Sequence, residues 1–224
     1  MAIHHTHAVY YESGDWIGHC LAYVSYLPYV AIIFMASSAY ARREVHLVFI
    51  LFGCFVSEGI ARALKHTIQQ PRPLETCESL GVCASPGFPS SHTQLMFLLT
   101  AIRASMLLRL FEQKRAHSIC VGALESIAIL LSAAAVAWSR VYLGYHTLEQ
   151  VQAAAAIGAG LGIAWVWLMA RLDGAFSYVS TSTLGQWMNL KNSWGVADVL
   201  HAECIMYHST AIAMPTASKS KAAE

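Results

Sequence analysis

The chain has 224 residues, of which 56% are hydrophobic and only 12% charged, with a net charge of +1 at neutral pH. A soluble domain carries roughly twice that charged fraction, so the composition points to a membrane protein and excludes partners selected by bulk electrostatics, nucleic acid among them. The 6 cysteines are scattered without a C-x-x-C pair, which argues against structural zinc and against a disulfide-rich secreted fold.

In chain order, the segment before Cys20 has neither a basic start nor an apolar core and is expected not to be a cleaved signal peptide. His4, His5 and His7 invite a metal reading, but a terminal stretch without an acidic or thiol neighbour rarely fixes coordination geometry, and no metal is expected there. A spanning helix needs about 20 mostly apolar residues. Five stretches come close: 20–41, 47–64, 93–108, 119–138 and 151–170. The first and last are free of charge. The second contains Glu58 with Arg62 near its end, the third Arg103 and the fourth Glu125. The expected fold is all-α, an integral membrane helical bundle of about five transmembrane helices. Residues 1–171 are expected to form the membrane domain and 172–224 a cytoplasmic or interfacial tail, with Trp187 and Trp194 suited to the interface.

Five crossings put the N-terminus and the 65–92 and 139–150 loops on one face. The opposite face collects Arg42, Arg43, Arg109, Lys114, Arg115, Arg171, Lys191, Lys219 and Lys221, whereas the N-terminal segment has no Lys or Arg. By the positive-inside rule the cation-rich face, and with it the C-terminus, is expected to be cytoplasmic. Lys65, Arg72 and Arg140 then lie on the outward face, against the sorting rule, which implies a separate purpose.

Three segments at helix ends share that outward face: KHTIQQPRP (65–73), PSSH (89–92) and SRVYLGYHTLEQ (139–150). Lys65, Arg72 and Arg140 suit the peripheral oxygens of a phosphate, each able to form charge-assisted hydrogen bonds. Pro71 and Pro73 stop the preceding helix and keep the chain extended. Ser91 followed three residues later by Gln94 fits a capping box, placing a helix start with free N–H groups beside the cations. His92 and His146 complete the set, one able to attack and one able to donate a proton.

These three segments match K-x6-RP, PSGH and SR-x5-H-x3-D, and the chain thereby resembles the type 2 phosphatidic acid phosphatase superfamily. It is most similar to the dolichyldiphosphatase branch, through PSSH, SRVYLGYHT, GDWIGHCLAYVSYLP and EGIARALKHTIQQPRP. The resemblance runs from about residue 8 to about residue 170. It implies that Lys65, Arg72 and Arg140, with Ser90 and the backbone amides of Ser91 and His92, hold the phosphoryl group. It further implies that His146 is the nucleophile forming a phosphohistidine and His92 the acid, with no metal or other cofactor. The implied substrate is dolichyl diphosphate, hydrolysed to dolichyl phosphate on the lumenal side of the endoplasmic reticulum, which recycles the carrier lipid of protein N-glycosylation. The implied partners are this polyprenyl lipid and membrane lipids. Phosphatases of phosphatidate, sphingosine phosphate or a shorter polyprenyl diphosphate would share every motif residue, and a catalytically silent lipid-binding protein is the alternative from another class.

One position departs from the pattern, because Gln150 stands where the third motif ends in Asp. Its amide oxygen could accept from Nδ1–H of His146, as a feature of the branch, or Thr147 and Gln150 could form a capping box. Glu149 is the neighbouring carboxylate. Elsewhere, Glu58 could orient Lys65 or line the pocket floor, Arg62 reads as a snorkelling flank, and Arg103 and Glu125 fall at matching depth and are expected to pair. Cys77 and Cys83 could join in an oxidising lumen. Ala154, Gly158 and Gly162 recur every four residues, as close helix packing requires.

Overall fold

The structure is a computed structural model that describes residues 3–6, 9–12, 14–81, 83–112, 116–194, 196 and 199–213. His7, Lys114, Arg115, Lys219 and Lys221 lie outside the described residues. A short antiparallel ribbon, β1 (Ile3–Thr6) and β2 (Val9–Glu12), pairs Ile3 with Glu12 and Thr6 with Val9. All other regular elements described are helices: α1 (Trp16–Val24), α2 (Leu27–Arg42), α3 (Val45–Ile68), α4 (Leu74–Leu80), α5 (Ser91–Glu112), α6 (Ala116–Tyr142), α7 (Leu148–Arg171), α8 (Asp173–Thr181), α9 (Thr183–Trp187) and α10 (Val199–Ala213).

Four stretches among the described residues are long and apolar enough to cross a membrane: Trp16–Arg42, Val45–Ile68, Ile119–Tyr142 and Leu148–Arg171. The chain is a multi-pass membrane protein. The fifth helix, α5, is polar at its start and carries Arg103 and Arg109, yet it packs most extensively of all, against α7 and α6. Thr93 and Gln94 near its start are buried in protein and Arg103 is paired with Glu125, which lets a helix of this composition sit within a bundle.

The expected first helix, 20–41, is broken. α1 ends at Val24 and α2 restarts at Leu27, with Pro28 in its first turn, where a missing N–H costs no helical hydrogen bond. The other spans extend beyond their expected limits. α3 therefore carries Lys65 in its last turn and ends where Gln69 takes a left-handed conformation, φ 50°.

Packing follows the small residues of α7. A Cβ at Gly158 would strike the Gln94 carbonyl of α5, and one at Gly162 would lie 2.6 Å from the Leu98 carbonyl. These glycines let α5 and α7 meet backbone to backbone. One core joins Ile50 and Cys54 of α3, Leu98 and Ile102 of α5, Val166 and Met169 of α7, and Phe176 of α8. At the other end of the bundle, Val9 of β2, Leu21 and Ala22 of α1, and Leu143 and Tyr145 form a second cluster.

Ions within the helical spans find partners. Arg103 of α5 and Glu125 of α6 form the expected ion pair. Glu58 pairs with Arg62 one turn along at 2.9 Å, while Arg62 stays exposed near the end of α3, as a flanking residue does. The chain after α9 is strapped back onto the α2–α3 turn. Lys191 N donates to Arg43 O, Val45 N donates to Lys191 O, and the buried carboxylate of Glu44 accepts from Ser193 Oγ at 2.7 Å. Trp194 packs into the main core beneath the Arg109 guanidinium, 3.9 Å from its ring, whereas Trp187 is exposed.

Candidate active site

The three motif segments meet at the end of the bundle where α3 and α6 finish and α5 and α7 begin. Lys65, in the last turn of α3, sends Nζ to the Pro89 carbonyl at 2.6 Å and lies 3.4 Å from that of Pro86. The lysine thus bridges from α3 to the segment that leads into α5. After α3, the chain runs extended through Pro71, Arg72 and Pro73 into α4, as two prolines require. Cys77 of α4 is disulfide-bonded to Cys83, which closes this excursion, and Thr76 donates to the Gly144 carbonyl at 2.6 Å.

Arg72 is the connector. Its Nε donates to the carbonyl and hydroxyl of Ser85 at 3.0 and 3.2 Å, and Nη1 donates to the Tyr145 carbonyl at 2.7 Å. The same Nη1 lies 3.5 Å from Nε2 of His146. Arg140, at the end of α6, is 5% exposed. Its guanidinium sits 4.1 Å above the Tyr145 ring, and Nη1 donates to Ser25 Oγ at 3.2 Å. Its Nε is buried without a hydrogen-bond partner among the described residues, an unsatisfied donor that an anion would complete.

His146 follows α6 in the short turn before α7 and is 3% exposed. Its Nδ1 lies 2.7 Å from the Gly87 carbonyl, which can only accept, so Nδ1 carries the proton. Nε2 then holds a lone pair, directed toward the Arg72 guanidinium. Burial holds the imidazole well below its ordinary pKa, and Arg140, Arg72 and Lys65 reinforce this against the Gly87 bond, so His146 is neutral at pH 7. Burial likewise lowers Arg72 from the usual guanidinium range.

His92, in the first turn of α5, stands edge-on to the Tyr29 ring of α2, with centroids 5.4 Å apart. Lys65, Arg72 and Arg140 are all within electrostatic reach of both histidines. The start of α5 differs in detail from the capping box expected of Ser91 and Gln94. Ser90, fully buried, precedes the helix and receives the Thr93 hydroxyl at 3.1 Å, while Gln94 reaches across to the Ser57 carbonyl of α3 at 2.8 Å. The helix begins at Ser91 as anticipated, but its polar side chains tie it to α3.

Gln150 does not reach His146, whose Nδ1 is taken by Gly87. Its backbone N–H donates to Thr147 Oγ1 and its Oε1 accepts from Thr147 N, both at 3.3 Å, completing the capping box of α7. Its Nε2 donates to the Pro71 carbonyl at 2.8 Å. Of the two roles open in the sequence, the cap is the one that forms.

Comparison with known proteins agrees with this arrangement. A family model described as the PAP2 superfamily matches residues 45–173. The chain belongs to the PAP2 superfamily. It is 35% identical over 200 residues to lipid phosphate phosphatase gamma of Arabidopsis thaliana, covering 87% of this chain and 86% of that protein. It is 34% identical over 160 residues to dolichyldiphosphatase 1 of Homo sapiens, covering 70% and 67% respectively. A transmembrane PAP2-type phosphatidylglycerolphosphate phosphatase from Bacillus subtilis shares the fold, with a TM-score of 0.57 and 20% identity over 71% of this chain and 80% of that one.

Some residues of this PAP2 site were not singled out in the sequence. Ser25, buried in the break between α1 and α2, bonds Arg140 and lies 3.1 Å from Ser139 Oγ. The signal was Pro28, which marks a helix start inside the apolar run and so a loop just before it. Tyr145 holds both arginines, and its hydroxyl accepts from Tyr10 N at 2.9 Å, tying the N-terminal ribbon to the site. Gly87 and Tyr29 carried no local signal, since only the fold brings them to the histidines.

Proposed function

We propose that this PAP2 protein is a metal-independent lipid diphosphate phosphatase that hydrolyses dolichyl diphosphate to dolichyl phosphate and phosphate. The observation that carries the reading is the setting of His146: neutral, with its proton held on Nδ1 and its Nε2 lone pair beside the Arg72 guanidinium. Nε2 attacks the terminal phosphorus. Lys65, Arg72 and Arg140, with Ser90 and the amides of Ser91 and His92 at the start of α5, hold the phosphoryl oxygens and offset charge as it develops. The P–O bond to the lipid phosphate breaks, and His92, held well below its ordinary pKa by burial and by Arg140, Lys65 and Arg72 until the anionic substrate offsets those cations and lets it take up a proton, gives that proton to the leaving oxygen. Water then attacks the phosphohistidine, His92 takes the water's proton, and the bonding pair returns to Nε2.

The location of the site supports a lipid substrate. It lies at the end of the membrane helices opposite the cation-rich end, which suits a lipid headgroup. Arg42, Arg43, Arg109, Arg171 and Lys191 at the far end favour cytoplasmic placement there, and so a lumenal site in the endoplasmic reticulum membrane. The dolichyldiphosphatase relatives support the diphosphate substrate and the recycling of the glycosyl carrier lipid for N-glycosylation. A different lipid phosphate is the second reading, favoured by the greater coverage of the Arabidopsis relative, named a lipid phosphate phosphatase.

The test is phosphate release by detergent-purified protein in EDTA, from dolichyl diphosphate, phosphatidate and sphingosine phosphate in parallel. Release from the first, retained in EDTA and lost in His146→Ala, is expected. Preference for phosphatidate transfers the assignment to the second reading, and no release from any of the three rejects the enzyme.

A further inference from the structure

We infer that the Gly87 backbone carbonyl is the group that orients the His146 imidazole in this chain, and that Gln150 is a positioning residue that holds this carbonyl in place. The inference rests on His146 being the nucleophile and explains how a site with Gln150 at the position of a carboxylate still prepares one. Gly87 O lies 2.7 Å from Nδ1, closer than any other ring-nitrogen partner described. Gly87 is fixed from both sides. Its N–H donates to the Gln70 carbonyl at 2.7 Å, which ties it to the chain leaving α3. Its Cα rests on the Gln150 amide, so closely that a Cβ would lie 2.6 Å from Oε1 and 2.7 Å from Nε2.

The Gln150 side chain itself is fully buried and spans two elements, accepting from Thr147 N and donating to Pro71 O. Both functions are needed at once: an acceptor toward α7 and a donor toward the 69–73 segment. A primary amide of this length supplies both, whereas a carboxylate supplies only the acceptor and would set an anion against the Pro71 carbonyl. Gln150 is thus a keystone under Gly87, acting on His146 through the backbone without touching it.

The chemical consequence concerns the intermediate. When the Nε2–P bond forms and the P–O bond to the lipid phosphate breaks, the ring gains positive charge while Nδ1 keeps its proton. A carbonyl acceptor orients the ring but offsets less of that charge than a carboxylate would. The phosphorylated imidazolium is therefore the better leaving group. In the second step water's oxygen bonds to phosphorus, the Nε2–P pair returns to the ring, and the phosphohistidine is expected not to accumulate.

The experiment uses the full chain in detergent with ¹⁵N-histidine labelling, the His146 resonances being assigned by their loss in His146→Gln. Wild type is expected to show a fixed Nδ1–H tautomer, and Gln150→Ala a mixture of tautomers. In parallel, Gln150→Ala, Gln150→Glu and Gly87→Ala are each expected to lower kcat at least 10-fold with KM changed less than 3-fold. Gly87→Ala/Gln150→Ala is expected to be no worse than the poorer single variant, because removing the amide makes room for the new methyl. An Nε2–H tautomer in the wild type overturns the inference. So does a Gln150→Glu enzyme of undiminished kcat whose acid limb moves upward, since that result places residue 150 directly on the ring. Because the tautomer is read without turnover, loss of the inference is distinguishable from loss of the phosphatase reading. A fixed Nδ1–H with full activity in His146→Ala removes the nucleophile and leaves the orienting contact standing.

Discussion

Arg140 and His146 show how far single side chains depend on groups distant in sequence. The motif spacing brings both into view, yet the hydroxyl that steadies Arg140 comes from Ser25, 115 positions away. A hydrogen bond to a charged group contributes about 1.5–3 kcal/mol. Ser25→Ala is therefore expected to lower kcat/KM roughly 10-fold or more by the same principle, measured on the same lipid substrate, with the fold unchanged by circular dichroism. His146 carries a pH consequence of definite sign. Its pKa is depressed in the folded protein, so below the unfolded value of about 6.5 the unfolded chain binds a proton that the folded chain refuses. Stability is unaffected above that pH and is lost as pH falls through and below it, by up to about 1.4 kcal/mol per unit. The thermal midpoint of detergent-solubilised protein should fall between pH 7 and pH 5, and less steeply in His146→Gln. A parallel decline in that variant assigns the acid sensitivity to other groups.

Helix α5 is the element on which the site depends. It starts at the turn that carries Ser90 and His92, and its position is fixed by α7 through Gly158 and Gly162 and by α3 through the Gln94–Ser57 bond. A methyl at Gly158 meets backbone, which cannot rotate away as a side chain can. Gly158→Ala is expected to destabilise by about 1–3 kcal/mol, as overpacking does, and to lower activity because Ser90 and His92 move with α5. Gly160 faces open space, so Gly160→Ala should leave the thermal midpoint unchanged or raise it. Equal losses in the two variants would show that helix propensity, and not the α5–α7 approach, controls the effect. The small-residue repeat of α7 was readable from spacing alone. The break between α1 and α2 was less so, because a proline in an apolar run permits either a kink or a restart.

The whole molecule is polarised. One end gathers the histidines, Lys65, Arg72 and Arg140, and the other gathers Arg42, Arg43, Glu44 and Lys191 in the strap that ties the chain after α9 to the bundle. If the site end faces an oxidising lumen, sealed microsomes should show no reaction of Cys83 with a membrane-impermeant maleimide before or after external reductant unless they are first permeabilised. Labelling of Cys83 in sealed microsomes after external reduction alone would invert the orientation. Between the two ends, Arg103 and Glu125 join α5 to α6. Arg103→Glu or Glu125→Arg alone is expected to cut expression severalfold, and the double reversal to restore it, since a lone charge within a bundle costs several kcal/mol and a pair far less. A double variant as poor as either single would remove the pair from the list of forces assembling the bundle.

Composition and hydropathy by themselves determined a membrane bundle, because apolar length measured against bilayer thickness is a local property of the chain. Motif spacing likewise singled out three cations and two histidines whose segments converge, since each sits at a helix end on one face of the bundle. The Arg103–Glu125 pair followed from the rise per residue along two antiparallel helices. What only the tertiary structure decided was which neutral groups touch the charged ones. Gly87 on His146, Ser25 on Arg140, Glu58 turned to Arg62, and Gln150 under Gly87 instead of on the imidazole all depend on where backbones cross. A backbone carbonyl has no residue type to betray it in a sequence, so the partner that orients His146 could be read only once the chain was folded.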